Sequence, residues 1–571
     1  ELAFLQRVFK RVDSYNPWTA EGTENHISMS RCSGYLYAQL AKQKYPDQFP
    51  EASLRMEQMK TWMTHFSKKI LETGTGEWNS SIYGPYNILP WVNVYDFAVD
   101  PEVKAMAKVV LDYYAIELAL HYAQGLTGGS DMRGKGNTRS FKGSTAYLGW
   151  LWYGDSLTPF TTANLNLGAR NATHVAQIVH AATSTYRPNP LMVNLVQSQG
   201  MYYNSKGNYL LGNPSYIKQT FFKASDYSLG AAYLPYGGWG GGDFQIVSWK
   251  LLSKVNPGPG KSIQYLSGIG MLPPNGTFSG GHMRSPFDQL VHHENVLIQL
   301  TRVPKQAEQI AEEIKNLYGQ WHLDWAIDFQ KRFPNDAHKL GDNPVNYQTL
   351  DHSKNRSSLI LHPNGKWAQH QEGVFNILDL EKTWVVIQSI RANPTGAFQT
   401  FQTKKDTFYF SSVEEEKGKV CGFVLEVIEK KDCLSLQELK DKILPKIELD
   451  YALLDKEDRL IYTSSRGDQL DVVYQKTGTF RAPLFDWGYG NEEPMIIPST
   501  PPIRQPEWPE GEGHGKIARW EINGEFEDLS SRWPVYGGPQ VEIGKHQLYL
   551  FDQEKEYRID FTGSKPVFSN N

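Results

Sequence analysis

Cysteine is scarce in this sequence, and long apolar runs are missing. Only Cys32, Cys421 and Cys433 occur in 571 residues, which excludes a disulfide-dense scaffold. The spacing of Cys421 and Cys433 leaves two alternatives open, one disulfide bridge or free buried thiols. No run of about 18 apolar residues occurs, so we expect no membrane-spanning helix. No convincing internal repeat is found either, which argues against a solenoid.

A marked excess of either charge is also missing. The chain has 58 basic and 62 acidic residues, and this near balance gives no electrostatic case for binding nucleic acid or an anionic membrane. Several catalytic templates are absent: the Gly-x-Ser-x-Gly elbow, the Cys–His protease signature, the dinucleotide fingerprint, the phosphate loop and His-Glu-x-x-His. We therefore expect no cofactor and no catalytic metal, and we leave a structural divalent metal open.

Aromatic residues, in contrast, are abundant. They make up 13% of the chain, including 16 Trp and 31 Tyr, and exposed aromatic faces bind sugar rings through apolar contact. Most individual rings are expected in the core. Trp78 and Trp239 are the two tryptophans that we consider candidates for contact with a ligand.

The period of the apolar residues divides the chain. Helical spacing runs from residue 24 to about 200, and a period of two follows from about residue 205. A chain of this length exceeds one hydrophobic core, which predicts two or three domains. We expect a multidomain α+β protein: an incomplete (α/α) toroid over residues 1–205, a central antiparallel β domain over 206–400 and a C-terminal β domain over 401–571, the last two built as large antiparallel β-sandwiches.

The first candidate site is the segment 23–26. Thr23 is a typical helix N-cap, which places Glu24, Asn25 and His26 in the first turn of a helix. Three polar side chains at one helix start can form the rim of an active site. The same pattern also fits simple capping with a solvated glutamate and histidine.

Two loops supply further candidates. The segment 77–87 is dense in aromatic and amide side chains, among them Trp78, Asn79, Tyr83 and Tyr86, which suits hydrogen bonding and stacking against a sugar. The glycine-bearing segment 130–139 contains Arg133 and Arg139. These guanidinium groups can bind a carboxylate or sulfate through paired hydrogen bonds. An ordinary polar connection is the alternative for both segments.

A fourth candidate lies in the β-rich part, at His292, His293 and Glu294. Successive strand residues point to opposite faces of a sheet, so only one of the two histidines can face the helical part. Such a strand cannot direct both histidines and the glutamate to one metal ion. A metal site or an ordinary polar strand end are the alternatives.

Taken together, this pattern resembles the polysaccharide lyases and lyase-like proteins of the heparinase II/III-like and alginate lyase families. The resemblance lies in the domain order, in Asn25 and His26 at the start of a helix, in the segment 78–86 and in the β segments 244–249 and 292–300. It implies β-elimination at a uronic acid, in which the substrate carboxylate is neutralised, the C5 proton is removed and the O4 leaving group is protonated.

The resemblance also implies roles for individual residues, with alternatives that stay open. Asn25, Asn79 and Arg133 or Arg139 would neutralise the carboxylate, His26 or His293 would be the base, and Tyr83 or Tyr86 the acid. Further substrate contacts would come from the following residues: Glu24, Trp78, Trp239, His292 and Glu294.

Two other classes of function compete with a lyase. A glycoside hydrolase would use a carboxylate pair such as Glu24 with Glu77 or Asp131, and a glycan-binding protein would use the aromatic surface without catalysis. The expected partner in each case is a polysaccharide, anionic for a lyase. The sequence begins at Glu1 rather than Met, and we expect a secreted or periplasmic protein whose signal peptide has been removed. Oligomeric state is open.

Overall fold

The structure of the protein is a computed structural model. It describes residues 1–12, 16–19, 24–123, 126–132, 144–154, 172–207, 217–233, 246–255, 263–270, 288–303, 305, 331, 355–362, 365–390, 399–404, 407–414, 416–475, 478–479, 510–511, 517–527 and 534–571.

The first 200 residues contain the long helices, as the helical period predicts. Those with eight or more described residues are α1 Leu2–Phe9, α2 Glu24–Lys44, α3 Ala52–Thr73, α4 Gly84–Phe97, α5 Pro101–His121, α6 Ser144–Tyr153, α7 Ala172–Thr183 and α8 Pro190–Gln197. A 3₁₀ turn, Pro46–Gln48, lies between α2 and α3. Helix α2 contacts α3 and α4, both of these contact α5, and α8 contacts α5.

Helix α5 forms the centre of the helical part, for reasons that its sequence shows. Asp100 caps it by accepting a hydrogen bond of 2.8 Å from the N–H of Glu102, and Pro101 supplies a backbone angle suited to the first turn. Every residue from Val109 to His121 is buried, including the polar residues Asp112, Glu117 and His121. A helix that is buried on all sides is surrounded by other elements.

The remainder of the described chain is dominated by strands. In its first half they are β1 Tyr122–Ala123, β2 Leu126–Thr127, β3 Asp131–Met132, β4 Met201–Gly207, β5 Ile217–Lys223, β6 Tyr227–Tyr233, β7 Ile246–Val247, β8 Trp249–Lys254, β9 Ile263–Gly270, β10 Asp288–His293 and β11 Val296–Thr301. In its second half they are β12 Asn355–His362, β13 Trp367–Glu372, β14 Phe375–Leu380, β15 Thr383–Ile390, β16 Gln399–Lys404, β17 Thr407–Glu414, β18 Cys421–Glu429, β19 Glu448–Asp450, β20 Arg459–Thr463, β21 Gln469–Val473, β22 Gly478–Thr479, β23 Glu510–Gly511, β24 Arg519–Ile522, β25 Glu525–Phe526, β26 Tyr536–Gly538, β27 Val541–Gly544, β28 Gln547–Asp552, β29 Lys555–Asp560 and β30 Val567–Asn570.

These strands form three larger sheets, in which every recorded pair is antiparallel. The 13-stranded sheet has the order β16-β17-β12-β9-β8-β6-β5-β4-β26-β27-β28-β29-β30, and the six-stranded sheet has the order β10-β11-β18-β15-β14-β13. A five-stranded sheet has the order β19-β20-β21-β24-β25. The mixture of helices and antiparallel sheets expected for an α+β protein is confirmed. The 13-stranded and the six-stranded sheet each contain strands from either side of residue 400. The proposed domain boundaries remain predictions.

Neighbouring residues of β5 show how these parts are layered. Phe221 belongs to a hydrophobic cluster formed with the helices, whereas Phe222 belongs to a second cluster formed with β10, β11, β15 and β18. Because side chains alternate between the two faces of a strand, β5 packs against the helices on one face and against strands of the six-stranded sheet on the other. The residues Val535 to Phe561 extend the first cluster, so the end of the chain packs against the helices.

The structure differs from the sequence prediction in a few elements. The segment 541–551 has the composition of a strand, and its sequence predicts one continuous strand from Val541 to Phe551. It is instead a hairpin of β27 and β28, in which Lys545 and His546 have φ of 53° and 64°. Two successive positive φ values define the tight turn that joins such strands. The apolar spacing of residues 434–444 predicts a short helical insertion. The structure has a short helix there, Leu436–Glu438, continued by the π-helical turn Leu439–Ile443 and the 3₁₀ turn Leu444–Lys446. One further helical turn follows at Leu454–Glu457.

Two expectations about the whole chain can be compared directly with the structure. Cys32, Cys421 and Cys433 are all buried free thiols, so the alternative of a Cys421–Cys433 bridge is wrong. Among the described helices, none combines the length and apolar character needed to cross a bilayer.

Candidate functional site

The first turn of α2 is tied to the loop that follows α3. The carboxylate of Glu24 accepts hydrogen bonds from the backbone N–H of Gly76, at 2.9 and 3.1 Å, and from that of Glu77, at 3.0 Å. Glu24 is 2% exposed, so these bonds replace water for both the carboxylate and the loop. The loop 74–83 therefore has a fixed place beside Asn25 and His26.

Two glycines allow this loop to approach the 13-stranded sheet closely. A Cβ atom on Gly207, the last residue of β4, would lie 2.3 Å from the carbonyl oxygen of Thr75. A Cβ atom on Gly74 would lie 2.5 Å from the carbonyl oxygen of Lys206, and Gly74 also has φ of 67°. Backbone therefore contacts backbone at this point, and a larger residue at either glycine would push the loop away.

Asn79 connects the same loop to the segment that follows α5. Its side-chain amide donates two hydrogen bonds, to the carbonyl of Gly128 at 2.7 Å and to that of Ser130 at 2.9 Å. Its backbone has φ of 47°, in the left-handed region that asparagine tolerates better than most residues. Because both amide hydrogens already have acceptors, Asn79 is a poor donor to a substrate carboxylate. Its observed role is to hold two loops together.

Beneath this loop lies a buried acid, Glu117 of α5. The hydroxyl of Tyr536 donates a hydrogen bond of 3.0 Å to its carboxyl group, and the backbone N–H of Asn79 contributes another. Burial nevertheless raises the pKa of Glu117 to about 7, because the ionised form loses its water. One turn later, burial lowers the pKa of His121 to about 4, and its Nδ1 lies 2.8 Å from the carbonyl of Glu117.

Two polar contacts attach the segment 128–131 to the 13-stranded sheet. The hydroxyl of Ser130 donates to the side-chain carbonyl of Gln219 at 3.0 Å, and Lys250 lies 3.0 Å from the carboxylate of Asp131. Lys250 and Asp131 are both buried, and burial raises the pKa of Asp131 despite the nearby lysine. This buried ion pair lies two residues before Arg133.

Three of the candidate residues with acid–base side chains are accessible at this end of the helices. His26 is exposed, and Tyr83 and Tyr86 are half-buried, with ring centroids 5.9 Å apart. Asn25 precedes His26 and is buried. This end of the helices therefore presents an imidazole and two phenols on accessible surface.

Several other predicted ligand contacts do not fit their expected roles. Trp78 is 1% exposed, so its ring has no free face to stack on a sugar. The carboxylate of Glu24 faces the backbone of residues 76 and 77 rather than solvent. Arg133, Arg139 and Trp239 lie outside the described residues.

The histidine pair of β10 lies on the far side of the 13-stranded sheet. The Nδ1 of His292 is 2.8 Å from the hydroxyl of Thr220, whereas Gln219, the preceding residue on β5, contacts Ser130 on the helical side. Consecutive strand residues face opposite sides, so the sheet separates His292 from the loop 128–131. The ring of Tyr202 is close to both histidines, with centroids 5.6 Å from His292 and 5.8 Å from His293.

The pKa shifts and ion pair around His292 and His293 also do not indicate a cleft shared with the helices. Burial lowers the pKa of His292 to about 3, and it also lowers the pKa of half-buried His293. Glu294 forms an ion pair with Arg466 at 2.7 Å. The sequence predicts that one histidine of this pair faces the helices. His292 does not, and His293 lies beside Tyr202, the ring that also contacts His292.

The carboxylates proposed for a hydrolase are buried and engaged. Glu77 is 1% exposed and accepts a hydrogen bond of 3.0 Å from the amide of Asn87, while Glu24 and Asp131 bind the loop backbone and Lys250. A hydrolase needs two acids that face the scissile bond. Glu24, Glu77 and Asp131 are all too buried to face a scissile bond.

Sequence reasoning missed Glu117 and Lys250. Each carried a signal, because a charged residue interrupts an otherwise apolar stretch: Ile116-Glu117-Leu118 in α5 and Trp249-Lys250-Leu251 in β8. Such residues are rarely buried unless they are paired or functional. Tyr536 carried no comparable signal, because its partner lies 419 residues away.

Two findings complete the description of the site. Within the described ranges, no group of three or more His, Cys, Asp or Glu side chains is arranged to hold a metal ion. No protein-family model matches the chain, and no curated protein sequence matches it.

Proposed function

We propose that this protein is a polysaccharide lyase that cleaves a uronic-acid-containing glycan by β-elimination. The observation that supports this most is the attachment of the first turn of α2 to the loop 74–83 through Glu24. This contact keeps Asn25 and the exposed His26 at the same end of the helices as Tyr83 and Tyr86. An amide, an imidazole and phenols are the groups that the reaction requires.

In the proposed reaction, hydrogen bonds to the substrate carboxylate acidify the C5 proton, which is otherwise only weakly acidic. Arg133 or Arg139 supplies this neutralisation, while Asn25 lies buried next to His26 in the first turn of α2. His26 removes the C5 proton, and Tyr83 or Tyr86 protonates the O4 oxygen as the glycosidic bond breaks. The electron pair of the C5–H bond forms the C4=C5 double bond, so no water is consumed.

The finer architecture is part of the same proposal. We propose that the helices form an incomplete α/α toroid and that the two larger sheets form a β-sandwich. Contacts among α2, α3, α4 and α5 support the first statement, and the hydrophobic cluster shared by the two sheets supports the second. In this arrangement the groove for an anionic polysaccharide runs across the end of the helices that holds His26.

The proposal favours elimination over hydrolysis because of how the acids are used. Glu24, Glu77 and Asp131 are buried and hydrogen-bonded or ion-paired, whereas His26, Tyr83 and Tyr86 retain exposed surface. Elimination needs no pair of acids facing the bond, and hydrolysis does.

The test is incubation with a panel of uronic-acid polysaccharides, including alginate, glucuronan and glycosaminoglycans. A lyase yields an unsaturated product that absorbs at about 235 nm, as expected for the conjugated product of β-elimination. We expect His26→Ala and Tyr83→Phe or Tyr86→Phe to lower its formation at least about 100-fold, the usual contribution of acid–base catalysis. Tyr549→Phe, at a half-buried tyrosine of β28, is the matched control and should keep full activity.

Absence of product from every polysaccharide would contradict the lyase proposal. Binding without product would instead support a glycan-binding protein, and reducing ends without absorbance would support a hydrolase.

A further inference from the structure

Three segments that surround the proposed site are held together by side chain to backbone contacts. Glu24 binds the N–H groups of Gly76 and Glu77, and Asn79 binds the carbonyls of Gly128 and Ser130. The start of α2, the loop 74–83 and the segment 126–131 are thus consecutive members of one chain of contacts. Ser130 then continues it to the sheet through Gln219.

We propose that Glu24 and Asn79 are positioning residues of the site, and this inference rests on the lyase function proposed above. Both side chains are buried, at 2% and 4% exposure, and the bonds they make are to backbone rather than to the site surface. They act through the groups they fix: Glu24 sets Asn25 and His26 against the loop that leads to Tyr83, and Asn79 sets that loop against the segment that leads to Arg133.

The loop needs such contacts because it has little regular structure of its own. Residues 74–83 lie between α3 and α4 and form only turns and bends. Its backbone includes a positive φ at Asn79, which is stable only where the surroundings impose it. Catalytic groups displaced by about 1 Å can lose roughly 100-fold in rate, so the loop geometry bears directly on turnover.

Two conservative substitutions separate positioning from a general loss of stability. Glu24→Gln keeps the shape of the side chain but turns one acceptor into a donor that faces the loop N–H groups. Its control is Glu426→Gln, since Glu426 is another buried carboxylate that accepts backbone N–H bonds, here from Ser465, far from the helices.

Asn79→Gly keeps the left-handed backbone accessible but removes both amide hydrogens. Its control is Asn523→Gly at the β24–β25 turn, where φ is 53° and the side chain also bonds neighbouring groups, Gln469 and Asp468. If Asn79→Gly fails to fold, Glu24→Gln alone decides the outcome.

The first measurement is amide hydrogen exchange in the free protein, which needs no substrate. We expect Glu24→Gln to speed exchange about tenfold or more at Gly76 and Glu77, because one of the two accepting oxygens becomes an NH2 group that faces these donors, a change of about 1.4 kcal/mol in local opening. We expect Asn79→Gly to speed exchange over 126–130, which includes the Gly128 N–H bonded to His121. Both controls should leave these segments unchanged.

The second measurement is steady-state kinetics on the polysaccharide that the wild type cleaves. Positioning predicts a fall in kcat of about tenfold or more with KM changed less than about threefold, because ground-state binding is kept while the reacting groups are displaced. A purely structural role would reduce the amount of active enzyme after heating but not kcat per folded molecule.

The outcomes separate this inference from the function it rests on. A wild type that forms no unsaturated product overturns the lyase proposal and the catalytic meaning of the positioning with it. An active wild type whose Glu24→Gln and Asn79→Gly variants keep kcat, or keep slow exchange at 76–77 and 126–130, overturns the positioning role alone.

Discussion

The phenol of Tyr536 donates a hydrogen bond of 3.0 Å to the carboxyl group of Glu117, which joins strand β26 to helix α5 inside the protein. Both side chains are buried, and Tyr113 packs against Tyr536 with ring centroids 6.0 Å apart. The end of the chain is therefore part of the core beneath the proposed site. The carboxyl group of Glu117 also makes this contact sensitive to pH.

Glu117→Gln should increase stability at neutral and higher pH. The pKa of Glu117 is about 7 in the folded protein and about 4.3 in an unfolded chain, so ionisation favours unfolding. The free energy of unfolding of the wild type should therefore fall as the pH rises from about 4.3 to about 7. That of Glu117→Gln should not show this fall. From about pH 5 to about pH 8 the variant should gain roughly 2 to 3 kcal/mol relative to wild type, measured by urea unfolding.

Tyr536→Phe provides the companion measurement. It removes the hydrogen bond that favours the ionised carboxylate, so stability should fall more steeply with pH than in the wild type. Parallel pH profiles for the wild type and Glu117→Gln would show that Glu117 is not the titrating group.

Breaking the buried pair of Lys250 and Asp131 should be strongly destabilising. Lys250→Met leaves the Asp131 carboxylate buried beside an apolar side chain, which should cost about 3 to 5 kcal/mol in urea unfolding. The double variant Lys250→Met/Asp131→Leu removes both charges and should recover much of that loss. A double variant as unstable as the single one would indicate that Lys250 acts through other contacts.

Gly207→Ala should displace the loop that carries the proposed site. The added methyl group would lie 2.3 Å from the carbonyl oxygen of Thr75, and the backbone cannot yield without moving the loop. We expect a loss of about 1 to 3 kcal/mol together with loss of activity. Gly544→Ala, at a strand end with open space around it, is the control and should change neither. Equal effects at both positions would contradict the close approach.

Asp112 should be essential to the attachment of the C-terminal strands. Its buried carboxylate accepts hydrogen bonds from Tyr186 at 2.8 Å and Tyr557 at 2.5 Å and pairs with Lys108 at 2.5 Å. Tyr557→Phe should cost about 1 to 3 kcal/mol because a buried charged acceptor loses a donor. Limited proteolysis should then cut between β29 and β30 faster than in the wild type, and unchanged cleavage would contradict this role.

The helical part could be predicted because its pattern is local. Polar residues before a helical period indicated the start of α2 at Glu24, and Asp100 with Pro101 gives the start of α5. The hairpin of β27 and β28 was missed because its turn residues, Lys545 and His546, are not the asparagine and glycine that usually accept positive φ.

The composition of the site could be predicted only in part. The sequence predicts that Asn79 neutralises a substrate carboxylate and that Glu24 contacts the substrate, but it could not show that their polar atoms bind backbone 49 to 53 residues away. The alternation of His292 and His293 predicted that they face opposite sides. It could not show that the 13-stranded sheet lies between His292 and the helices. Long-range packing decides both matters.

The most direct test of the lyase proposal is the mass of the cleavage products. Elimination adds no water, so the products of one cleavage should together weigh the same as the substrate, with one unsaturated end per cut. Hydrolysis would add the mass of one water molecule for each cut. Saturated products that have gained water would contradict the proposal that His26 and the tyrosines of the loop carry out β-elimination.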